Sequence, residues 1–349
     1  MSPLTRRALQ FALLLALGVA LLVVTVRMFG TDQVMQELAG ADRALLGWAA
    51  LLFFSQFFTM GLRWWITLRL LGHPVRAISL FRANAASNFV NFFAPGHFGE
   101  PLISAWLAKS GRAPGVEAFS ALVGSKVLAT ILSFSLLVAC VPLLMARTEA
   151  SWLAQVAGTA VAIAIGTIIA LAILLRPHVA AWGAALAGRW VGGAIAVLRP
   201  SLGERVRIRL ESLLLGVRDT LATFATRPAA LLGSAAVSAL KIATQIGFVT
   251  VLFAAFGTEL TVGGATFLVT VDVLQNAVSI WIPANLGVQE AILTAAAAGG
   301  LAVDGSVAAS AAIAHKVILV VHVGLGGLAF LVLGLFDRAP FADSAPRDG

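Results

Sequence analysis

Residues 84–100 read Asn-Ala-Ala-Ser-Asn-Phe-Val-Asn-Phe-Phe-Ala-Pro-Gly-His-Phe-Gly-Glu. This apolar stretch carries three asparagines, is broken at Pro95 and Gly96, and ends in the carboxylate of Glu100. Unpartnered polar groups are expensive in lipid, and proline removes a backbone donor from a helix. We therefore expect these residues to form a polar site inside a membrane-embedded helix bundle.

The composition of the whole chain supports this interpretation. Of 349 residues, 60% are hydrophobic and 11% are charged, which excludes an ordinary soluble domain. Six apolar runs are long enough to cross a hydrocarbon core about 30 Å thick. They comprise residues 8–26, 44–62, 116–145, 152–175, 229–256 and 306–336. The first run lacks a clear cleavage site, so we expect a retained span and not a removed signal peptide.

The basic residues favour a membrane partner over nucleic acid. The net charge is +8, but the cations are scattered between apolar runs and do not cluster with aromatics. The single cysteine, Cys140, can form no internal disulfide. We expect membrane lipids with anionic or zwitterionic headgroups as partners, together with a possible membrane enzyme. The sequence does not define an oligomeric state.

The distribution of Lys and Arg predicts the orientation. With both termini in the cytoplasm, most of the 24 cations lie on the cytoplasmic side. The exceptions are Arg27, Arg43 and Arg147 outside, and Lys126, Lys241 and Lys316 within spans. In this arrangement the second span ends near Arg63, and Trp64 and Trp65 anchor it at the interface. The basic section 176–228 is interpreted as amphipathic helices on the inner membrane surface.

The opening stretch has a counterpart near the C-terminus. Each copy has an asparagine seven residues before a proline, then a glycine, a glutamate, and a lysine 26 residues after the glutamate. The first copy consists of Asn88, Pro95, Gly99, Glu100 and Lys126, and the second of Asn276, Pro283, Gly287, Glu290 and Lys316. The predicted topology starts one copy inside and the other outside, so we interpret them as inverted repeats. Interrupted apolar segments at matching positions of inverted repeats indicate a transport site near the membrane midplane.

The paired residues are candidates for substrate binding. Each lysine lies about ten residues into a span, roughly 15 Å deep, where a lone charge costs about 2.5–3.5 kcal/mol. We expect the glutamates as partners, because each follows a helix break and would begin a half-helix whose dipole favours a carboxylate. The candidate substrate-binding residues are Asn88, Asn91, Glu100, Lys126, Asn276, Glu290 and Lys316. The candidate hinge residues are Pro95, Gly96, Gly99, Pro283 and Gly287.

Two interpretations of these groups remain open. In the first, the charged residues form structural ion pairs, and the amides bond to backbone groups that the helix breaks leave without partners. In the second, the same residues line a polar path through which an ionic headgroup passes while its acyl chains stay in lipid. Lys241 and Asp272 are further intramembrane charges that could join the site. His315 and His322 share a helix face, but no cluster with metal-ligand spacing accompanies them, so we expect no metal.

Catalytic signatures are mostly missing from the sequence. It has no His-Glu-x-x-His, Gly-x-Ser-x-Gly or Walker motif. We therefore expect no cofactor and no enzymatic activity, and transport driven by a gradient, a partner or the lipid's own concentration difference. A membrane transferase that uses Glu100 as a base is a weaker alternative.

These motifs resemble the lysylphosphatidylglycerol synthase transmembrane region, a flippase-like membrane domain. The resemblance covers about residues 9–336 and rests on Pro-Gly-x-x-Gly-Glu at 95–100 and Pro-x-x-x-Gly-x-x-Glu at 283–290. It implies a polytopic inner-membrane protein that translocates a lipid or lipid-linked headgroup. Lys126 stands where the family more often has arginine, and residues 284–286 replace commoner glycines. The resemblance implies no aminoacylation by this chain, because the soluble lysyl-transferase domain is absent.

The sequence thus predicts an all-α polytopic membrane protein of the inner (plasma) membrane. It has about six full transmembrane helices plus two broken re-entrant helix pairs arranged as inverted repeats. We divide it into two N-terminal helices (1–75), a first repeat (76–145), connecting helices (146–260), a second repeat (261–336) and a polar cytoplasmic tail (337–349). The main alternative function is a non-transporting subunit or scaffold for a glycosyltransferase or lipid-modifying enzyme.

Overall fold

The computed structural model describes residues 19–20, 22–73, 75–93, 99–109, 114–145, 175–196, 200–278, 282 and 285–336, with a few positions between 158 and 169. All regular structure in this part of the chain is helical. The helices are α1 (Thr31–Gly40), α2 (Arg43–Leu70), α3 (Ala77–Phe93), α4 (Gly99–Lys109), α5 (Gly115–Met145), α6 (Pro177–Ala196), α7 (Pro200–Thr226), α8 (Pro228–Ala254), α9 (Val262–Val278), α10 (Val288–Ala295) and α11 (Gly305–Phe336). A π-helical turn, Ala296–Gly300, follows α10.

The antiparallel pair α2 and α8 forms the centre of the bundle. The Asp42 carboxylate caps α2 by accepting hydrogen bonds from the backbone N–H groups of Ala44 (2.8 Å) and Leu45 (3.1 Å). The Asp42 backbone N–H in turn donates to the Ala255 carbonyl at 2.8 Å, just past the end of α8. At the other end of the pair, the Arg227 guanidinium donates to the Leu70 carbonyl at 2.9 Å. The two helices are therefore aligned over almost their whole length.

Two apolar clusters surround this pair. The larger joins α2, α8, α9 and α11 through buried residues such as Ala49, Phe248, Leu268 and Ala311. The smaller joins the end of α2 to α3 and α5 and includes Trp64 and Leu80. Alanines are frequent in both clusters, and small side chains let helices approach closely where lipid provides no hydrophobic drive for association.

Helices α6 and α7 form a hairpin that docks on the start of α5. The Ser120 hydroxyl donates to the Leu213 carbonyl at 3.4 Å, and Thr220 lies against Gly124. Arg207 on α7 forms ion pairs with Glu204 (2.5 Å) and Glu211 (3.0 Å). The prediction that the basic section is helical is confirmed, whereas its position on the inner membrane surface stays a prediction.

The helices of the two predicted repeats match in order and length. Helices α3 and α9 each contain 17 residues, and α5 and α11 contain 31 and 32. The shorter helices α4 and α10 occupy the middle of each copy. Helices α5 and α11 begin at Gly115 and Gly305, which stand at equivalent positions in the repeat. The sequence repeat therefore corresponds to a repeat of helical elements.

Three of the described helices are long and apolar enough to cross a membrane, namely Arg43–Leu70, Leu232–Ala254 and Gly305–Gly327. They contain the predicted runs 44–62, 229–256 and 306–336 in whole or large part. The run 116–145 is also helical, as α5. The runs 8–26 and 152–175 lie largely outside the described residues. The all-helical membrane architecture is confirmed, and the total of six spans stays a prediction.

The helix that contains the second span extends beyond the predicted end of that span. Helix α2 continues to Leu70, so Arg63 lies seven residues inside it and is only 4% exposed. Trp64 is 2% exposed, and its indole N–H donates to the Ala118 carbonyl at 3.3 Å. Trp64 therefore holds α2 against α5 and does not anchor α2 at the interface. The apolar run ends at these residues in the sequence, but tertiary contacts also bury Thr67 and Leu68 in the next turn.

Candidate functional site

The first candidate site forms where α4 begins. Glu100 lies in the first turn of α4, as predicted for a half-helix that follows a break. The Asn91 side chain on α3 holds this turn, accepting from the Gly99 N–H at 2.7 Å and donating to Glu100 Oε1 at 3.3 Å. A Cβ at Gly99 would overlap the carbonyl oxygen of Ser87, so only glycine permits this approach of α4 to α3.

The predicted partner of Glu100 is confirmed. The Lys126 ammonium on α5 donates to Glu100 Oε1 and forms an ion pair with it. The side chain of Lys126 is 31% exposed and that of Glu100 is 14% exposed, so this pair is only partly buried. A partly exposed pair can exchange its internal contact for a contact with a ligand at lower cost than a fully enclosed pair.

The second predicted pair is also confirmed and is more deeply enclosed. Lys316 Nζ on α11 lies 3.2 Å from Glu290 Oε1 in the first turn of α10, with side chains 8% and 1% exposed. The Lys316 ammonium also donates a hydrogen bond to Gln289 Oε1 at 2.6 Å. Neither carboxylate oxygen of Glu290 accepts a hydrogen bond from a described residue. Its charge is therefore compensated mainly by Lys316.

Gln289 links the second pair to Asp272 on α9. Its amide nitrogen donates to Asp272 Oδ1 at 2.8 Å, and Gln275 donates to the same oxygen at 3.2 Å. Asp272, which sequence reasoning left open as a site residue, thus joins the network through this bridge. Sequence analysis missed Gln289, although its position beside Glu290 in the motif could have pointed to it.

Two of the predicted hinges lie at the start of a helix, Gly99 at that of α4 and Gly287 just before α10. Gly287 precedes α10 with φ +76°, a backbone conformation that favours glycine. Asn285, two residues earlier, also has a positive φ of 50°. Pro95, Gly96 and Pro283 lie outside the described residues, as does the side chain of Asn276. Whether Gly99 and Gly287 act as hinges stays a prediction.

A cavity of about 340 Å³ lies between α2, α8 and the helices of the second repeat, and Asn88 of the first repeat also lines it. Its apolar wall includes Phe53, Phe248 and Leu268. Its polar lining includes Gln56, Asn88, Lys241, Gln245, Asp272, Asn285, Gln289 and His315. Asn88, predicted from the first repeat, therefore faces the same space as Gln289 of the second. The volume and mixed lining are typical of a ligand pocket.

Two further cations belong to helices that line this cavity. Lys241 lines it from the middle of α8, as the sequence allowed. Arg63 was not identified as a site residue, because it appeared to end an apolar run. The charges of Arg63 and Lys126 both act on Lys241, and Asp272 provides the opposing attraction.

The two histidines have aromatic surroundings. His315 packs edge-on against Phe53 and Phe248, with ring centroids 5.5 and 4.9 Å apart. The His322 ring lies 3.5 Å from that of Phe57. Within the described ranges, no group of three or more His, Cys, Asp or Glu side chains is placed to hold a metal ion. The expectation of no metal or other cofactor stays a prediction.

Comparison with known proteins gives one family match. The model of the family described as "Lysylphosphatidylglycerol synthase TM region" matches residues 9–327, nearly the whole chain. No curated protein matches the sequence. The family match confirms the resemblance seen in the motifs and supports a multi-pass membrane protein of flippase-like type.

Proposed function

Because this chain belongs to the family of lysylphosphatidylglycerol synthase transmembrane regions, we propose that it translocates a lipid or a lipid-linked headgroup across the membrane. The observation that carries this proposal is the cavity of about 340 Å³, which is lined by polar residues of α2, α8 and the second repeat and by Asn88 of the first repeat. A headgroup needs polar partners in the bilayer interior, whereas the acyl chains can remain in lipid. The mixed lining of this cavity supplies such partners.

The contacts at the two ends of the bundle support an inverted arrangement of the repeats. At the end of α2, His73 lies 2.5 Å from Glu117, so α5 begins at that end. At the opposite end, where α2 starts, the Ser310 hydroxyl donates to the Val34 carbonyl of α1 at 3.2 Å, so α11 begins there. Inverted repeats with broken helices at their interface are a common basis of alternating access.

The broken segments are proposed as re-entrant pairs. Gly99 begins α4 against Ser87 and Asn91, in the last two turns of α3. Helix α5 then starts beside His73, just past the end of α2. We therefore propose that the chain between Ala77 and Gly115 enters and leaves the membrane on the same side. Under this proposal the carboxylates of Glu100 and Glu290 lie at the tips of half-helices near the midplane.

Each ion pair provides both charges that a zwitterionic headgroup needs. A phosphate can compete for the lysine, and an amino group for the carboxylate. We propose the inner (plasma) membrane as the location, with cytoplasmic termini, from the excess of Lys and Arg on that side. This proposal assigns the chain no chemical reaction, and a membrane enzyme remains a possible partner.

Translocation is tested by headgroup accessibility in liposomes. Purified protein is reconstituted with fluorescent phosphatidylglycerol or phosphatidylethanolamine, and an impermeant quencher reports the label that reaches the outer leaflet. We expect wild-type protein to expose inner-leaflet label and Glu100→Gln or Lys126→Ala to expose much less. Glu204→Gln on the exposed face of α7 is the matched control and should retain wild-type activity.

The alternatives predict different results. Wild-type protein that moves none of a panel of native lipids, yet co-purifies stoichiometrically with an enzyme, would establish the scaffold alternative. Product formation from a labelled donor by this chain alone would instead establish a transferase. The topology is tested separately in a Cys140→Ala background with single cysteines at Gly111 and Gly300. An impermeant thiol reagent should label them from opposite sides, and same-side labelling would refute the inverted repeats.

A further inference from the structure

Arg63 is buried without a partner. It lies about 10 Å inside the end of α2, at 1.5 Å per residue, and is 4% exposed. Its guanidinium makes no hydrogen bond or ion pair with any residue in the part of the chain that the structure describes. Burying a guanidinium costs several kcal/mol unless an anion and hydrogen-bond acceptors compensate it. A group of this kind indicates a ligand that brings the missing acceptors.

Lys241 is a second cation without a direct partner. It lies roughly 20 Å from either end of α8 and lines the cavity. Its ammonium forms no ion pair or hydrogen bond with a described residue, although Asp272 exerts an attraction on it. The other two lysines in the bundle interior already have partners: Lys126 pairs with Glu100, and Lys316 contacts Glu290 and Gln289. Lys241 is therefore available to a ligand in the cavity.

The helix packing brings Arg63 and Lys241 to one region. Gln56 and Met60 of α2 line the cavity, and Arg63 follows them at the i+7 and i+3 positions of the same helix face. Because α2 and α8 are antiparallel, the second half of α2 packs against the first half of α8, and Lys241 lies at the midpoint of α8. The charge of Arg63 acts on Lys241, and so does that of Lys126 on α5. Cations on α2 and α5 thus lie within electrostatic range of Lys241, and Glu100 is paired to the one on α5.

We propose that Arg63 and Lys241 form an anion subsite of the cavity, which binds the phosphate of the translocated headgroup. Arginine offers two parallel N–H donors to phosphate oxygens, and the lysine adds a mobile point charge. The phosphate is thus assigned to these two cations in preference to Lys126 and Lys316, which already pair with carboxylates. It deepens the proposed function, since it names the group of the lipid that this protein recognises.

The subsite is tested by ligand binding in detergent, independently of transport. The probes are dihexanoyl phosphatidylglycerol, dihexanoylglycerol without a phosphate, and inorganic phosphate. We expect the phospholipid, and not the phosphate-free lipid, to raise the melting temperature of wild-type protein. Arg63→Met or Lys241→Met should weaken phospholipid binding about tenfold or more, the factor expected from one charged hydrogen bond. Arg69→Met, on the same helix but exposed, should leave the affinity unchanged.

The outcomes separate the possible sources of the anion. Stabilisation by inorganic phosphate alone, lost in both variants, would assign the subsite to a soluble anion. Unchanged affinity in both variants, or equal binding of the phosphate-free lipid, would overturn the subsite. Arg63→Lys keeps the charge without the paired donors, so it should fold normally and still bind more weakly. A marked fall in melting temperature of Arg63→Met without any probe would show a structural role and would also overturn the proposal.

Binding and transport can fail separately. Wild-type translocation that persists in Arg63→Met and Lys241→Met would leave the proposed function intact and reject the subsite. Conversely, phospholipid binding that depends on both residues in a protein that translocates nothing would support the subsite and reject the transport function.

Discussion

The two ion pairs should differ in what their disruption costs. The Lys316 and Glu290 side chains are 8% and 1% exposed, whereas those of Lys126 and Glu100 are 31% and 14% exposed. Removing Lys316 leaves an enclosed carboxylate with no compensating charge, which costs about 3–5 kcal/mol. Removing Lys126 leaves a carboxylate that is less enclosed and that Asn91 still contacts, so we expect a smaller cost than at the second pair.

A double-mutant cycle measures this difference. Lys316→Met, Glu290→Gln and the double variant are unfolded in mixed micelles with increasing SDS, and the same set is made for Lys126 and Glu100. We expect the double variant at the second pair to recover most of the stability that Lys316→Met loses, because an unpaired charge is then removed. A Lys316→Met protein as stable as wild type, or equal losses at both pairs, would refute the inference that Glu290 is a buried charge held by Lys316.

Three further predictions concern two glycines and one helix cap. Gly99→Ala should destabilise the protein and reduce lipid translocation, because the new Cβ overlaps a carbonyl oxygen of α3; Gly47→Ala, with nothing within 4 Å, is the control and should be neutral or slightly stabilising. Gly287→Ala should cost about 1–2 kcal/mol in the same unfolding assay because of its positive φ, and no loss would contradict that backbone conformation. The hydroxyl and N–H of Ser306 lower the pKa of Asp304, so the stability that this cap of α11 contributes should be lost as pH falls. Asp304→Ala should remove that part of the pH dependence of the melting temperature. If the melting temperature of the variant fell at acid pH as it does in wild type, the stabilising role of this cap would be refuted.

Much of the site could be predicted because its residues obey local rules. A carboxylate placed after a helix break, and a lysine 26 residues later in a long apolar run, each require a partner in lipid. The shared spacing pointed to Glu100 with Lys126 and to Glu290 with Lys316, and both pairs are present. The helical character of the basic section followed in the same way from its leucine spacing.

Other features depend on contacts between distant helices. Arg63 stands at the end of an apolar run in the sequence, and nothing local shows that it becomes buried when α2 packs against its neighbouring helices. The bridge from Lys316 through Gln289 to Asp272 joins three helices, and glutamine on its own has no distinctive pattern. The difference in burial between the two ion pairs is likewise a property of the assembled bundle, since their spacing in the sequence is the same.

The position of Arg63 has a consequence for how the chain is inserted during synthesis. Helix α2 must enter the bilayer with a guanidinium about 10 Å from its end, before α5 and α8 have been made. The 28-residue length of α2 lets Arg63 remain near the interface at first, with its final depth reached when the later helices pack. Glycosylation mapping of truncated chains should therefore find the C-terminal end of α2 shallower before α8 is synthesised than after it. Hydrophobicity thus sets the depth of α2 in the bilayer at first, and packing against the later helices sets its final depth.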